Sequence, residues 1–411
     1  MASHSHAGER RAATIIVVAA LALIAIGTTW ERARGSNAGT ERATTVLAHV
    51  PARGSDVRAI ESARLRQILR ESPRNLGVAV RLARLDIAAA RELADPRFLG
   101  RAEAALSPWW NDRDAPAEAL LLRATIRQAR HEFDAALADL EDLVTRPRAT
   151  VASTVLAQAL LTRAVVLGVK ARYADALASC GQLAGLASPF VQAACGAPVL
   201  GVTGRAPDAA VELAGFLGTA SGVAEVAWGR SLLADLALWS GDEHGAETLL
   251  RSVLAIAPHD GIARATLADL LIDMGRPSEA GMLVAGHEED DALLLRLALA
   301  RAAESTAGSH DGVAATMAAR FDASRLRGDV VHRREEARFA LVIERNPVRA
   351  LRLAEDNWSV QQEPADARVL LEAALAAHAP GVARPALDWL DKTGLTWPRL
   401  RALAAALRSA S

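Results

Sequence analysis

The chain contains no phosphate-binding GxxxxGK[ST], no HExxH, no GxSxG and no CxxC. P-loop, zinc-protease, serine-hydrolase and dithiol chemistries of those kinds are therefore not indicated, and no cofactor or metal is implied. An excess of charge is also missing. Its 47 basic residues stand against 48 acidic ones, which leaves no basic footprint for nucleic acid. Lysine is nearly absent, with Lys170 and Lys392 the only two, and no functional meaning follows from that. Aromatic residues are 4% of the chain while apolar residues are 51%, so the apolar content is overwhelmingly aliphatic and alanine. Only two cysteines occur, Cys180 and Cys195. They either pair in an oxidising compartment or pack as small hydrophobes, and spacing alone does not choose. No lipobox cysteine stands directly after the N-terminal apolar run, which argues against a lipoprotein.

What is present begins with that run. Residues 12–27 are uncharged and apolar, follow Arg10 and Arg11, and extend through Thr28, Thr29 and Trp30 to about the ~20 residues that span a bilayer. Residues 1–30 are read as a signal-anchor or transmembrane segment with Trp30 at the interface. The competing reading is a cleaved export signal, using small residues such as Ala25 and Gly27, or Ser36 and Ala38. Either way the rest of the chain is expected outside the cytoplasm, with the N-terminus inside. Residues 31–54 are polar, carry Gly35, Gly39, Pro51 and Gly54, and read as a tether. The remainder, 55–411, is one helical unit.

Its organising feature is an internal repeat. Within 228–291 the sequence matches itself at a shift of 34 residues, with Ala234 falling on Ala268, Gly241 on Gly275 and Ala246 on Ala280. Each copy has apolar residues at three- and four-residue steps on both sides of a glycine-containing break, the pattern of two amphipathic helices joined by a tight turn. The alanines twelve apart are expected at the helix crossing, where only small side chains let backbones approach. Following the second-helix alanine along the chain gives Ala102, Ala136, Ala176, Ala209, Ala246, Ala280, Ala315, Ala350 and Ala383. The position twelve upstream is alanine in seven units, from Ala90 to Ala303, and becomes Arg338 and Leu371 in the last two. His131, His310 and His378 occupy the turn position held by Gly241 and Gly275 elsewhere. A leading helix with Val57, Ile60, Leu65, Ile68 and Leu69 and a closing one with Leu400, Leu403, Ala404 and Leu407, capped by Thr396, are expected to cover the ends.

These features resemble the tetratricopeptide repeat, over about three quarters of the chain. The large aromatic usual early in the first helix is mostly absent, and the one three residues before the marker survives only as Phe133 and Tyr173. The resemblance implies an all-α, right-handed superhelical solenoid of about nine helix-turn-helix repeats. It also implies that the first helices line a concave face where peptides or partner termini bind. Asp235, Asp269, Glu304 and Glu372, each eleven residues before a marker, would look into that groove. Ile87, Leu121 and Leu161 would make its N-terminal end apolar. Such a groove suits a protein or peptide with a basic segment, though charged residues on a helix face are equally the ordinary solvated surface.

The remaining candidates have plain structural readings. The acidic run at 286–291 could suggest a metal, but it falls between two repeats, where Asp290 or Asp291 serves as a helix N-cap. His4 and His6 could bind a metal as a pair, and are read as incidental. Of Trp109 and Trp110, one is expected in the core and the other over a junction, unless the pair anchors a partner. The expected function is a non-enzymatic, membrane-tethered protein-interaction scaffold. An envelope assembly factor of the kind that handles unfolded apocytochromes is the alternative, and a metal-dependent hydrolase using 286–291 is a distant third.

Overall fold

The computed structural model describes residues 57–92, 96–304, 312–328 and 332–410. The apolar run, the tether and His310 lie outside the described residues. Among the described residues no helix is long and apolar enough to cross a membrane.

All regular structure among these residues is helical. A leading helix α1 (Val57–Glu71) is followed by nine antiparallel pairs: α2 (Leu76–Glu92) with α3 (Arg97–Ala105), α4 (Ala117–Ala129) with α5 (Phe133–Thr145), α6 (Ser153–Val169) with α7 (Tyr173–Gly181), α8 (Pro189–Leu200) with α9 (Ala206–Leu217), and α10 (Val223–Trp239) with α11 (Glu243–Ile256). Then come α12 (Gly261–Asp273) with α13 (Pro277–Val284), α14 (Asp291–Glu304) with α15 (Gly312–Leu326), α16 (Arg333–Val342) with α17 (Pro347–Trp358), α18 (Pro364–Ala376) with α19 (Arg384–Thr393), and a closing α20 (Pro398–Ser409). Helices within a pair touch, and first helices of successive pairs also touch, as in α4 with α6, α12 with α14, and α18 with α20. That is the stacking a solenoid requires, since no single pair can bury its apolar face alone.

Local chemistry sets the helix ends. The Ser188, Asp242, Asp260 and Asn346 side chains accept hydrogen bonds from amides in the first turns of α8, α11, α12 and α17. Prolines start α8, α17, α18 and α20, where their missing N–H costs nothing. Asp290 Oδ1 accepts from the amides of Ala292 and Leu293, so the acidic run supplies the cap of α14. Thr396 does something else. Its hydroxyl donates to the Trp239 carbonyl, and Trp397 occupies the cap position of α20.

The turn between paired helices has one backbone solution repeated along the chain. Five residues before a marker, His131, Ala171, Gly204, Gly241, Gly275, Arg345 and His378 all have positive φ, between 51° and 86°. The amide that follows often reaches back five residues, as from Glu132 to the Arg127 carbonyl at 2.9 Å and from Arg276 to Leu271 at 2.8 Å, which satisfies carbonyls the helix end leaves open. Glycine takes this conformation freely, whereas a side chain there is strained. Arg345 is exposed at φ 51°, so Arg345→Gly should stabilise the protein by about 1 kcal/mol. A lowered urea midpoint in that variant would refute this.

The marker alanines occupy the crossings with one offset. Ala102, Ala136, Ala176, Ala209, Ala246, Ala280, Ala350 and Ala383 are buried, as are Ala124, Ala164, Ala197, Ala234 and Ala268 opposite them. In the seventh pair Ala315 and Ala303 face outward, and Ala300 and Ala314 take the crossing instead. The sequence register slips there because alanine neighbours the marker on either side, so composition cannot choose between them. Trp109 is buried and Trp110 half-buried beneath the Arg127 guanidinium, 5.6 Å from its ring centre. Cys180 on α7 and Cys195 on α8 are joined in a disulfide with their Cα atoms 5.6 Å apart.

Candidate functional site

The inward face of the first helices was expected to be an open groove. Ile87, Leu121 and Leu161 are not on it: each is buried in the core between helices. Positions four residues apart share nearly the same side of a helix, so their burial comes from how the neighbouring pairs stack and not from the spacing itself.

The four acidic positions meet different surroundings. Asp269 on α12 receives both Arg296 of α14, at 2.8 Å, and Arg338 of α16, which forks onto both carboxylate oxygens at 2.9 and 3.0 Å. Burial acts to raise its pKa, and the two guanidinium groups override it and hold the carboxyl below the usual range. Glu372 on α18 accepts from Arg368 at 2.7 Å. Glu304, at the end of α14, is exposed. Asp235 on α10 is partly buried, with no hydrogen-bond or ion-pair partner among the described residues, and burial pushes its carboxyl up to about 7. The four carboxylates thus do not form an uninterrupted like-charged stripe. Arginines from α14, α16 and α18 alternate with them.

Those arginines are the residues the sequence reading passed over. Arg338 stands at the crossing position where seven other pairs were read with alanine, and that exception was the available signal. Arg368 also forks onto Asp273 of α12 at 2.6 and 2.7 Å, 95 residues away in sequence. No repeat register points to such a pairing.

The last helices lie against much earlier turns. The Gln362 amide donates to the Val169 carbonyl at 2.8 Å, Trp389 Nε1 to the Tyr173 hydroxyl at 2.7 Å, and Thr396 to the Trp239 carbonyl at 3.0 Å. Arg399 donates to the Asp273 carbonyl at 3.2 Å and sits 3.3 Å from its carboxylate. At Gly204 the backbone of Gly394 is so near that an added Cβ would come within 2.9 Å of its carbonyl oxygen. The C-terminal pairs therefore cross the exposed ends of α6, α10 and α12, capping carbonyls that those helices leave unpaired. His131, in the α4–α5 turn, lies close enough to Arg334 of α16 for its charge to matter. Burial, reinforced by that charge, lowers its pKa to about 4 and keeps the ring neutral.

Glu363, at the start of α18, completes this interior. Burial and the neighbouring Asp366 push it up to about 7 against the opposing pull of Arg334, and the charge of Asp235 adds to the effect. Asp366 itself is fully enclosed, accepting from Asn357, Gln361 and the Glu363 amide, with Arg334 3.2 Å away. Asp235 makes a sharp test. In the unfolded chain its pKa is about 3.9, and folded it is about 7, so the native state holds the extra proton between those values. Stability falls as pH rises through that window, and the penalty is complete above it. Asp235→Asn should stabilise the protein at pH 8 by about 1–2 kcal/mol, discounted for its partial access to water, and leave stability at pH 4 unchanged. Equal effects at both pH values would show that the substitution acts through packing.

Chemically this face is an array of guanidinium–carboxylate pairs between stacked helices. Such an array can hold shape or recognise charge. Residues 237–303 match the family model described as Tetratricopeptide repeat, so that stretch, α11 to most of α14, carries repeats of this type. No curated protein gives a significant match. Among solved structures, the P58(IPK) TPR domain is 16% identical, covering 80% of this chain and 98% of its own, with a TM-score of 0.23. Yeast Tom70 is 10% identical, covering 86% and 96%, with a TM-score of 0.29. The APC/C hetero-tetramer Cut9-Hcn1 gives 12%, 86% and 90%, also at 0.29.

Proposed function

We propose that the protein is a non-enzymatic protein-interaction scaffold, tethered to a membrane by residues 1–30 and displaying its helical repeats outside the cytoplasm. The observation that carries the scaffold reading is the stack of nine helix pairs with tetratricopeptide-type repeats at 237–303, an architecture that offers extended surface without a catalytic pocket. The Cys180–Cys195 bridge supports the compartment, because disulfides persist where the surroundings are oxidising. The ligand class is a protein or peptide with a basic segment, drawn to the inward carboxylates Asp235, Asp269, Glu304 and Glu372. At Asp269 and Glu372 it competes with arginines of the chain itself.

Crosslinking in intact cells, followed by mass spectrometry of captured proteins, tests the scaffold. Recurrent capture of one partner set, lost on Asp235→Lys with Asp269→Lys, is the expected result. A phosphatase fused after Ser55 should be active if the repeats are exported. An inactive fusion beside an active cytoplasmic reporter at the same site would overturn the topology.

A further inference from the structure

The near-neutral balance of the whole chain hides a segregation of charge. Residues 57–101 hold ten arginines against five acidic residues, whereas residues 102–411 hold 31 basic against 39 acidic. The basic end is the one next to the apolar run. Only residues 31–56 intervene, and a chain of 26 residues in coil form spans about 30 Å.

Helix α1 covers the first pair with one side only. Leu65 is buried and Ile68 and Leu69 are half-buried in its contact with α2, while the opposite side carries Ile60, 63% exposed, flanked by Arg64 and Arg70, with Arg74 in the turn that follows. These three arginines have no hydrogen-bond or ion-pair partner among the described residues. The exposed acid of α1, Glu71, accepts from Gln67 at 3.4 Å. At the other end of the stack the closing helix treats its arginines differently. Arg399 lies on Asp273, Arg401 donates to the Leu390 and Leu395 carbonyls, and Arg408 reaches both oxygens of Asp391 at 2.7 and 2.8 Å. A capping face needs only to be polar, and paired charges supply that. Unpaired like charges repel one another, so capping alone does not account for the arginines of α1.

We propose that the outer side of α1, with Arg64, Arg70 and Arg74 around Ile60, docks on the anionic headgroups of the membrane that residues 1–30 enter. This rests on the reading of residues 1–30 as a membrane segment. An anionic bilayer attracts basic groups only within about a Debye length, about 8 Å at physiological salt, and a short connection to the apolar run holds α1 near enough for that attraction to act. The first pair then lies at the membrane, and Met282 of the sixth pair lies away from it.

The test uses the purified full chain with an environment-sensitive fluorophore on Ala63→Cys, exposed between Ile60 and Arg64, and with the native cysteines kept in their disulfide. It is reconstituted into vesicles of phosphatidylcholine alone or mixed with phosphatidylglycerol, each carrying a quencher at headgroup depth. Quenching should be about threefold stronger with phosphatidylglycerol, and the gain should disappear in high salt and in Arg64→Glu with Arg70→Glu and Arg74→Glu. The same label on Met282→Cys, exposed on α13, should stay bright in every vesicle. Equal quenching in the two vesicles would overturn the docking face, as would quenching at position 282 that matches that at position 63. A label that answers to polyglutamate and not to phosphatidylglycerol would assign the face to an acidic protein instead. Flotation with phosphatidylcholine vesicles reports on residues 1–30 separately. A chain that floats with an unquenched label keeps its tether and loses this face, and one that binds and is quenched only with phosphatidylglycerol does the reverse.

Discussion

Replacing Arg123 by methionine is expected to destabilise the protein by about 3–5 kcal/mol, the cost of breaking a buried pair from one side. Arg123 lies on α4 and forks onto both oxygens of Asp139 on α5 at 2.6 and 2.9 Å. Its other terminal nitrogen donates to the carbonyls of Trp109, Trp110 and Asp112, at 2.7, 2.7 and 3.0 Å. One guanidinium therefore ties the two helices of a pair to the loop that enters it. Methionine fills similar space but strands the carboxylate and three carbonyls, and Arg127, 2.7 Å from Asp139, compensates only part of the charge. Arg123→Lys should recover little, since an ammonium cannot reproduce the fork. Arg123→Met with Asp139→Leu should recover more than the single variant, because no buried charge is left behind. Urea unfolding of the three variants decides it. A loss below about 1 kcal/mol for Arg123→Met would mean the site rehydrates freely.

Removing the disulfide in Cys180→Ala with Cys195→Ala is expected to lower stability by about 3 kcal/mol, the loop-closure value for a 15-residue separation. The bridge joins the second helix of the third pair to the first helix of the fourth, so it fixes a junction between repeats. Both sulfurs are nearly enclosed, and alanine also leaves a small void at each position. Wild-type protein reduced and alkylated under denaturing conditions should refold with a similar deficit. If the double variant unfolds at the wild-type midpoint, the bridge is dispensable, and its support for an oxidising compartment goes with it.

The repeat was legible because its signals are local. Ala246 and Ala280 must be small for backbones to cross, Gly241 and Gly275 must tolerate positive φ, and Asp290 must satisfy amides at a helix start; each need is met within a few residues of chain. Where several residue types meet the same need, the reading slipped. Ala314 and Ala315 are equivalent by composition, and only packing against α14 chose Ala314. Ile87, Leu121 and Leu161 share a helix side with the inward positions four residues on, and only the packing of neighbouring pairs put them in the core.

The sequence by itself determined that the chain folds as helical pairs, the turns between them and most of the positions at which they cross, because those depend on interactions three to twelve residues apart and recur in most units. Only the tertiary structure decided how the stack closes. Arg368 on Asp273, Trp389 on Tyr173 and Thr396 on Trp239 are separated by 95, 216 and 157 residues. Their meeting depends on the sum of small rotations from pair to pair, a quantity that no single repeat encodes. That accumulated rotation brings arginines of the last helices onto carboxylates that periodicity alone had left facing an open groove.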